Sequence, residues 1–90
     1  MTNLNNKKAL VLGGSRGIGA AVVTRLQQEG ATTTFTYANA DQAAIEVSTN
    51  TGAQAVKVDS TNRAALAAVI RDQGALDILV IAAGVLVMGD

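Results

Sequence analysis

The stretch that decides the fold runs from Leu10 to Gly19 and reads Leu-Val-Leu-Gly-Gly-Ser-Arg-Gly-Ile-Gly. A short apolar run meets a glycine-rich bend, and an apolar pattern with helical spacing follows the bend. The order of strand, glycine-rich turn and helix is how a parallel α/β unit presents backbone N–H groups to a phosphate. The sequence therefore predicts an anion-binding helix N-terminus directly after the first strand.

Three glycines of this bend have separate physical roles. Gly13 lets the chain leave the strand sharply, where a side chain would clash. Gly17 keeps a Cβ out of the space above the helix start, so that a pyrophosphate can approach the main chain, and Gly19 lets the helix pack close to the sheet. The alternative is a glycine-rich turn that serves only strand–helix packing.

The composition limits the function classes. The 90 residues make one domain at most, and seven basic residues balance seven acidic ones. No basic stripe is available to neutralise nucleic-acid phosphates or to bind an anionic membrane surface. The sequence has no Cys and no His, which excludes disulfides, thiolate nucleophiles, a His general base and Cys/His metal sites. The longest apolar stretch, 78–88, is broken by Gly84 and is shorter than the roughly 20 residues of a membrane span. We expect a cytoplasmic protein with no bound metal.

The hydrophobic pattern predicts four strands and three helices. The strands are predicted at residues 9–12, 32–37, 54–58 and 76–81. The first helix follows the bend and ends at Gly30, the second runs from Asp41 to about residue 49, and the third begins after a cap at Ser60 or Thr61 and ends at Gly74. Residues 1–6 are predicted to be a disordered or loosely attached leader.

Helical spacing also predicts which faces of the first and third helices are buried. The first helix should bury Ile18, Val22 and Leu26 and turn Arg25, Gln27, Gln28 and Glu29 largely away from the sheet, and the third should bury Ala65, Leu66, Val69 and Ile70.

The alternation of strands and helices predicts a Rossmann-type α/β fold with a parallel sheet in the order 3-2-1-4. A ligand should then sit beyond the carboxyl ends of strands 1 and 4, where the glycine bend and Ala82-Ala83-Gly84 meet. The fourth strand would be an unpaired apolar edge, with residues 85–88 exposed beside it. We therefore expect residues 1–90 to be a truncated, N-terminal part of a single dinucleotide-binding domain in a doubly wound fold. If these residues are stable alone, we expect a partner chain to cover that edge, and we expect the protein to be a homo-oligomer.

The bend resembles the cofactor loop of the short-chain dehydrogenase/reductases, usually Thr-Gly-x-x-x-Gly-Ile-Gly. Leu12 stands where that family commonly has Thr, which removes a hydroxyl hydrogen bond near the turn. The run Leu76-Asp77-Ile78-Leu79-Val80-Ile81-Ala82-Ala83-Gly84 is similar to the family's Leu-Asp-Ile-Leu-Val-Asn-Asn-Ala-Gly, with Ile81 and Ala82 in place of the two amides. The resemblance implies that the backbone of this run lines the adenosine ribose. It also implies that Asp59, beside Ser60, accepts a hydrogen bond from the adenine amino group. The same aspartate could cap the next helix, and the two roles are not exclusive.

The end of the second strand bears on the choice of cofactor. NAD sites usually place an acid there, about 20 residues beyond the loop, and this sequence has none between Glu29 and Asp41. That absence favours NADP over NAD. Arg16 could pair with the 2′-phosphate or could be a solvated surface arginine, and Asn39 could donate to the same phosphate or only serve the turn.

The residues expected to contact the cofactor are Gly13, Ser15, Arg16, Gly17, Ile18, Gly19, Tyr37, Ala38, Asn39, Asp59, Ser60, Ala82, Ala83 and Gly84.

The resemblance implies an Asn–Ser–Tyr–Lys catalytic set, which in the family lies downstream of the matched stretch. Tyr37 is the only Tyr and has no Lys four residues on, so no residue here is predicted to be catalytic.

Three functions follow as hypotheses. The first is an NADP-dependent oxidoreductase that moves a hydride between the nicotinamide and a small carbonyl or alcohol substrate, with these residues supplying only the cofactor-binding half. The second rests on further similarity of the glycine bend with Leu12 and of the runs at 35–38 and 74–80 to a bacterial branch of the family that binds a nucleotide second messenger, cyclic-di-GMP, and acts in biofilm dispersal. The third is a structural fragment that binds nothing alone.

Overall fold

The computed structural model describes residues 4–13, 17–39, 41–59 and 62–81, together with the backbone of 86–89. The elements, in chain order, are β1 (Lys8–Leu12), α1 (Gly17–Gln28), β2 (Thr32–Tyr37), α2 (Asp41–Thr51), β3 (Gln54–Lys57), α3 (Arg63–Asp72), β4 (Ile78–Ile81) and β5 (Leu86–Gly89).

The strands form one sheet in the order β3-β2-β1-β4-β5, and the first four are parallel. The register places Leu10 of β1 between Thr34 of β2 and Leu79 of β4. The predicted 3-2-1-4 order and the Rossmann-type class are therefore confirmed. The central position of β1 explains why its residues 9–11 are completely buried.

The free edge predicted for β4 was wrong. β5 pairs with β4 in the antiparallel direction, with Val80 opposite Val87, and so fills the backbone donors and acceptors of that edge. Residues 86–88, which were expected to be left exposed beside that edge, belong to this strand instead, and residue 85 lies outside the described part of the chain. The edge of β4 consequently gives no reason to invoke a partner chain.

The core lies between the sheet and the helices α1 and α2. Phe35, Val11 and Val80 of the sheet pack with Val23 of α1 and Ala44 of α2. Phe35 is the only phenylalanine of the chain, and the other buried residues of this cluster are alanine, valine and leucine.

The buried face of α1 differs from the predicted one by a partial turn. Gly19, Val23 and Leu26 are buried, Val22 is half-buried, and Ile18 is 61% exposed. The helix begins at Gly17, so its first turn lies at the rim of the sheet. In that turn Gly19, which has no side chain, is the residue that is buried.

Gln27 also departs from the expected outward position. Its Nε2 donates to the Thr51 carbonyl at 2.8 Å, and its Oε1 accepts from the Thr33 backbone N–H at 3.0 Å. One half-buried side chain thereby joins α1 to β2 and to the end of α2, so this glutamine does not face solvent alone.

The segment before β1 is attached to the fold, which corrects the predicted loose leader for residues 4–6. The backbone N–H of Leu4 donates to the Glu29 carbonyl at 2.7 Å, and its side chain packs against the core. Asn6 has φ +70°, a conformation that asparagine tolerates in turns. Residues 1–3 lie outside the described part of the chain.

The N-cap of α3 is Asn62, not Ser60 or Thr61. Its side-chain oxygen accepts from the Ala65 backbone N–H at 3.0 Å, the capping hydrogen bond of a helix start. Ser60 and Thr61 themselves lie outside the described residues.

The inner face of α3 is only half-buried at its predicted positions, Ala65, Leu66, Val69 and Ile70. A cavity of about 440 Å³ separates the last turns of α3 from the sheet, with Lys8, Thr32, Thr34, Gln54 and Val56 on the sheet side. Polar side chains at the start of the strands account for this looser layer.

Candidate functional site

The carboxyl ends of the four parallel strands meet at one edge of the sheet, where α1 begins. Leu12 pairs with Thr36 on one side and with Ile81 on the other, and Tyr37 pairs with Lys57 at the end of β3. The reversal of strand order lies between β1 and β4, the point at which α/β sheets bind ligands.

The glycine bend brings bare main chain to this edge. Gly13 has φ +91° and Gly17 has φ +59°, both in the region that favours glycine. A Cβ added at Gly17 would meet no heavy atom within 4 Å, so the space above the start of α1 is open. Gly19 is buried against the sheet, as predicted. Gly14, Ser15 and Arg16 lie outside the described residues.

Thr36 holds the bend in a way that the sequence interpretation missed. The Gly13 N–H donates to both the carbonyl and the Oγ1 of Thr36, at 3.2 and 3.1 Å. This hydroxyl comes from the neighbouring strand, where Thr36 is the register partner of Leu12. Leu12 is the position at which the family commonly has a threonine. The available signal was a threonine next to the last residue of a strand, at a position that the structure shows to be buried.

The end of β2 forms the second wall of the site. Tyr37 is half-buried and packs against the core, Ala38 is half-buried and Asn39 is exposed.

The end of β3 forms the third wall. The Val58 N–H donates to the Tyr37 carbonyl at 2.8 Å, which extends the pairing by one residue. Asp59 then follows with an exposed side chain, and its carbonyl accepts from the Asn62 N–H at 2.9 Å. Since Asn62 is the N-cap of α3, the alternative that Asp59 caps this helix was wrong.

Two sets of predicted residues cannot be placed. Ser60 lies outside the described residues, and so do Ala82, Ala83 and Gly84. The pairing of Ile81 with Leu12 nevertheless brings the end of β4 beside Gly13, on the side of β1 away from Thr36.

A surface ion pair at the same edge was also not predicted. Nζ of Lys57, the last residue of β3, lies 3.3 Å from both carboxylate oxygens of Asp41, the first residue of α2. Each side chain is 58% exposed. The first acid after β2 therefore has a cation beside it.

Asp77, by contrast, acts at the opposite edge. Its carboxylate accepts from the Lys8 backbone N–H at 2.8 Å, its own N–H donates to the Lys8 carbonyl at 2.9 Å, and Lys8 Nζ donates to the Gln73 carbonyl at 2.6 Å. The aspartate of the Leu-Asp-Ile-Leu-Val run thus fixes the start of β1 to β4.

Residues 7–90 match the model of the short chain dehydrogenase family. The chain belongs to this family. It is 50% identical over 90 residues to the cyclic-di-GMP-binding biofilm dispersal mediator protein of Escherichia coli K12, a match that covers 100% of this chain and 38% of that protein. It is 39% identical over 84 residues to acetoacetyl-CoA reductase of Shinella zoogloeoides, covering 89% of this chain and 35% of that enzyme.

The solved structures agree with the family assignment. The crystal structure of BdcA in complex with NADPH superimposes with a TM-score of 0.85 at 51% identity, over 87% of this chain and 32% of that one. The chain therefore spans well under half the length of these relatives and corresponds to their N-terminal, Rossmann-like part.

None of the described helices has the length and apolarity to cross a membrane. Within the described ranges, no three metal-ligating side chains come together.

Proposed function

We propose that these residues form the NADP-binding part of a short-chain oxidoreductase, which transfers a hydride between the nicotinamide and a carbonyl or alcohol substrate. The observation that carries the proposal is the open space at Gly17, at the N-terminus of α1 and beside the carboxyl end of β1. The free N–H groups of a helix N-terminus and its positive dipole end attract a pyrophosphate that can reach the main chain. Residues 1–90 are then the N-terminal part of a single dinucleotide-binding domain.

The walls of the site fit the other parts of such a cofactor. Gly13, Gly17, Ile18 and Gly19 would surround the pyrophosphate, with Ser15 from the same bend. At 61% exposure, the Ile18 side chain stands at the rim of the crevice, where it can cover one side of the ligand. Asp59 and Ser60 would contact the adenine, and Ala82, Ala83 and Gly84 would line the ribose.

The preference for NADP follows from charge at the end of β2. Tyr37, Ala38 and Asn39 carry no acid that would repel a 2′-phosphate. Arg16 comes from the adjacent bend and can make a charge-assisted pair with the phosphate. The NADPH bound to BdcA, which is 51% identical, supports this choice of cofactor.

When bound, the cofactor supplies the hydride acceptor or donor. The residues of this chain bind and orient it, and we assign none of them to catalysis. The substrate, the catalytic groups and assembly into a homo-oligomer belong to the proposal for the whole protein.

A second candidate is favoured by one observation. The E. coli relative, 50% identical over the full 90 residues, is named for binding cyclic-di-GMP and for biofilm dispersal. In this alternative the same crevice holds a nucleotide messenger, whose phosphates would meet the same bare main chain at Gly17.

Titrations of the intact protein with NADPH, NADH and cyclic-di-GMP distinguish the candidates. We expect NADPH to bind more tightly than NADH, and Arg16→Ala to weaken NADPH about tenfold or more while changing NADH little, since a charge-assisted pair contributes about 1.5–3 kcal/mol. Equal losses for the two cofactors would remove the arginine from its role. Saturable binding of cyclic-di-GMP without binding of NADPH would favour the second candidate.

A further inference from the structure

Asp41 is an acid at the ribose end of the proposed cofactor site. It is the first acid after β2 and the first residue of α2, four residues beyond Tyr37. In dinucleotide-binding folds the acid that accepts from the 2′-hydroxyl of NAD stands at the end of the second strand. Asp41 lies beyond that position, so its carboxylate acts on a 2′-phosphate through its negative charge.

Lys57 is placed to cancel that charge. It reaches Asp41 from the end of β3, where its backbone is in register with Tyr37, and its ammonium contacts both carboxylate oxygens at 3.3 Å. The pair is half in solvent, so it contributes little to the stability of the fold. Its effect on a dianionic phosphate nearby is larger, because an Asp41 carboxylate without its cation would repel both negative charges of the phosphate.

We propose that Lys57 is a specificity-determining residue for the cofactor: by holding the Asp41 carboxylate, it lets the crevice accept a 2′-phosphate in spite of that acid. This inference rests on the proposed function, since it concerns the selectivity of the same site. Lys57 acts through Asp41 and is therefore a positioning residue. An unpaired Asp41 would repel the phosphate of NADPH, whereas NADH has no 2′-phosphate to repel.

The test measures the dissociation constants of NADPH and NADH for the intact protein and three variants. Lys57→Met should weaken NADPH about threefold to fivefold at low salt while NADH binding stays the same or tightens. Asp41→Asn in the Lys57→Met background should return the NADPH/NADH ratio to near the original value. The matched control is Arg25→Met, which also removes one cation from an exposed ion pair, with Glu29 at 2.9 Å near the end of α1.

Each outcome bears on a defined claim. A change in the ratio for Lys57→Met that Asp41→Asn reverses and Arg25→Met does not reproduce supports the inference. NADPH binding with an unchanged ratio in Lys57→Met overturns the inference and leaves the proposed function standing. An equal shift in Arg25→Met also overturns it, because net charge alone would explain the result. Failure of the unmodified protein to bind NADPH overturns the proposed function itself.

Discussion

Replacing Gly17 by alanine separates the requirements of the fold from those of the ligand. Gly17 has φ +59° and no heavy atom within 4 Å of an added Cβ. Gly74, in the turn between α3 and β4, has φ +75° and equally open surroundings. It follows Gln73, whose carbonyl is bound by Lys8 at the start of β1, so it lies at the opposite edge of the sheet. Gly74→Ala is therefore a matched control.

The expected magnitudes follow from these two environments. An L-residue in the left-handed region costs about 1–2 kcal/mol, so both variants should lose about this much unfolding free energy. Neither adds a steric cost within the protein. In Gly17→Ala the new methyl group would occupy the open space at the start of α1, where the proposed site requires the pyrophosphate to approach the N–H groups of the helix. Loss of one charge-assisted hydrogen bond, about 1.5–3 kcal/mol, corresponds to about 10- to 140-fold weaker NADPH binding.

Two measurements on the intact protein decide the matter: urea unfolding for stability and fluorescence titration for NADPH. Similar unfolding free energies with a binding loss only in Gly17→Ala would agree with the proposed site. If both variants bound NADPH as tightly as the unmodified protein, the open space at Gly17 would not be the pyrophosphate site and the reasoning would fail.

Two further predictions concern side chains that the structure, not the sequence, brought forward. Gln27→Met should lower the unfolding free energy by about 2 kcal/mol in urea denaturation, because it leaves the N–H of the buried residue Thr33 without its acceptor. The control Gln28→Met, on the exposed face, should change the unfolding free energy by less than about 0.5 kcal/mol. Equal effects of the two substitutions would show that the hydrogen bonds of Gln27 do not stabilise the fold. Thr36→Val should weaken NADPH binding a few-fold with an unchanged or higher melting temperature, because it removes only the hydroxyl that accepts from the Gly13 N–H. Thr36→Ser keeps a hydroxyl and should restore NADPH binding. A drop in melting temperature with unchanged NADPH affinity would assign the hydroxyl to the fold alone.

The sequence predicted the features that local chemistry decides. The apolar runs, the glycine bend and the β-branched run of β2 are each encoded within a few residues, and the boundaries of β2 were confirmed without change. The sheet order followed from right-handed crossovers, which need no knowledge of individual contacts.

The errors arose where distant parts of the chain decide the outcome. Nothing next to Gln27 reveals that Thr33 and Thr51 will surround it. The same holds for β5, whose pairing depends on a chain reversal after β4. The helix cap was displaced to Asn62 because Ser60, Thr61 and Asn62 are all good capping residues, and the sequence alone does not rank them.

The candidate site was predictable in its backbone and not in its charges. The bend and the strand ends converge as the topology requires, whereas the pairing of Lys57 with Asp41 and the support of Gly13 by Thr36 join residues on different strands or helices. Such contacts depend on register, and register appears only when the sheet is assembled.

The two hydrogen bonds between Lys8 and Asp77 have a consequence for the order in which the sheet can form during translation. The two residues are 69 positions apart, so at about 5–20 residues per second the middle strand leaves the ribosome roughly 3–14 seconds before its second neighbour exists. During that interval the apolar flank of β1 is open to any passing extended chain. The nascent chain is therefore most exposed to incorrect strand pairing before β4 has been synthesised. Chaperones that bind short apolar segments would act on β1 first.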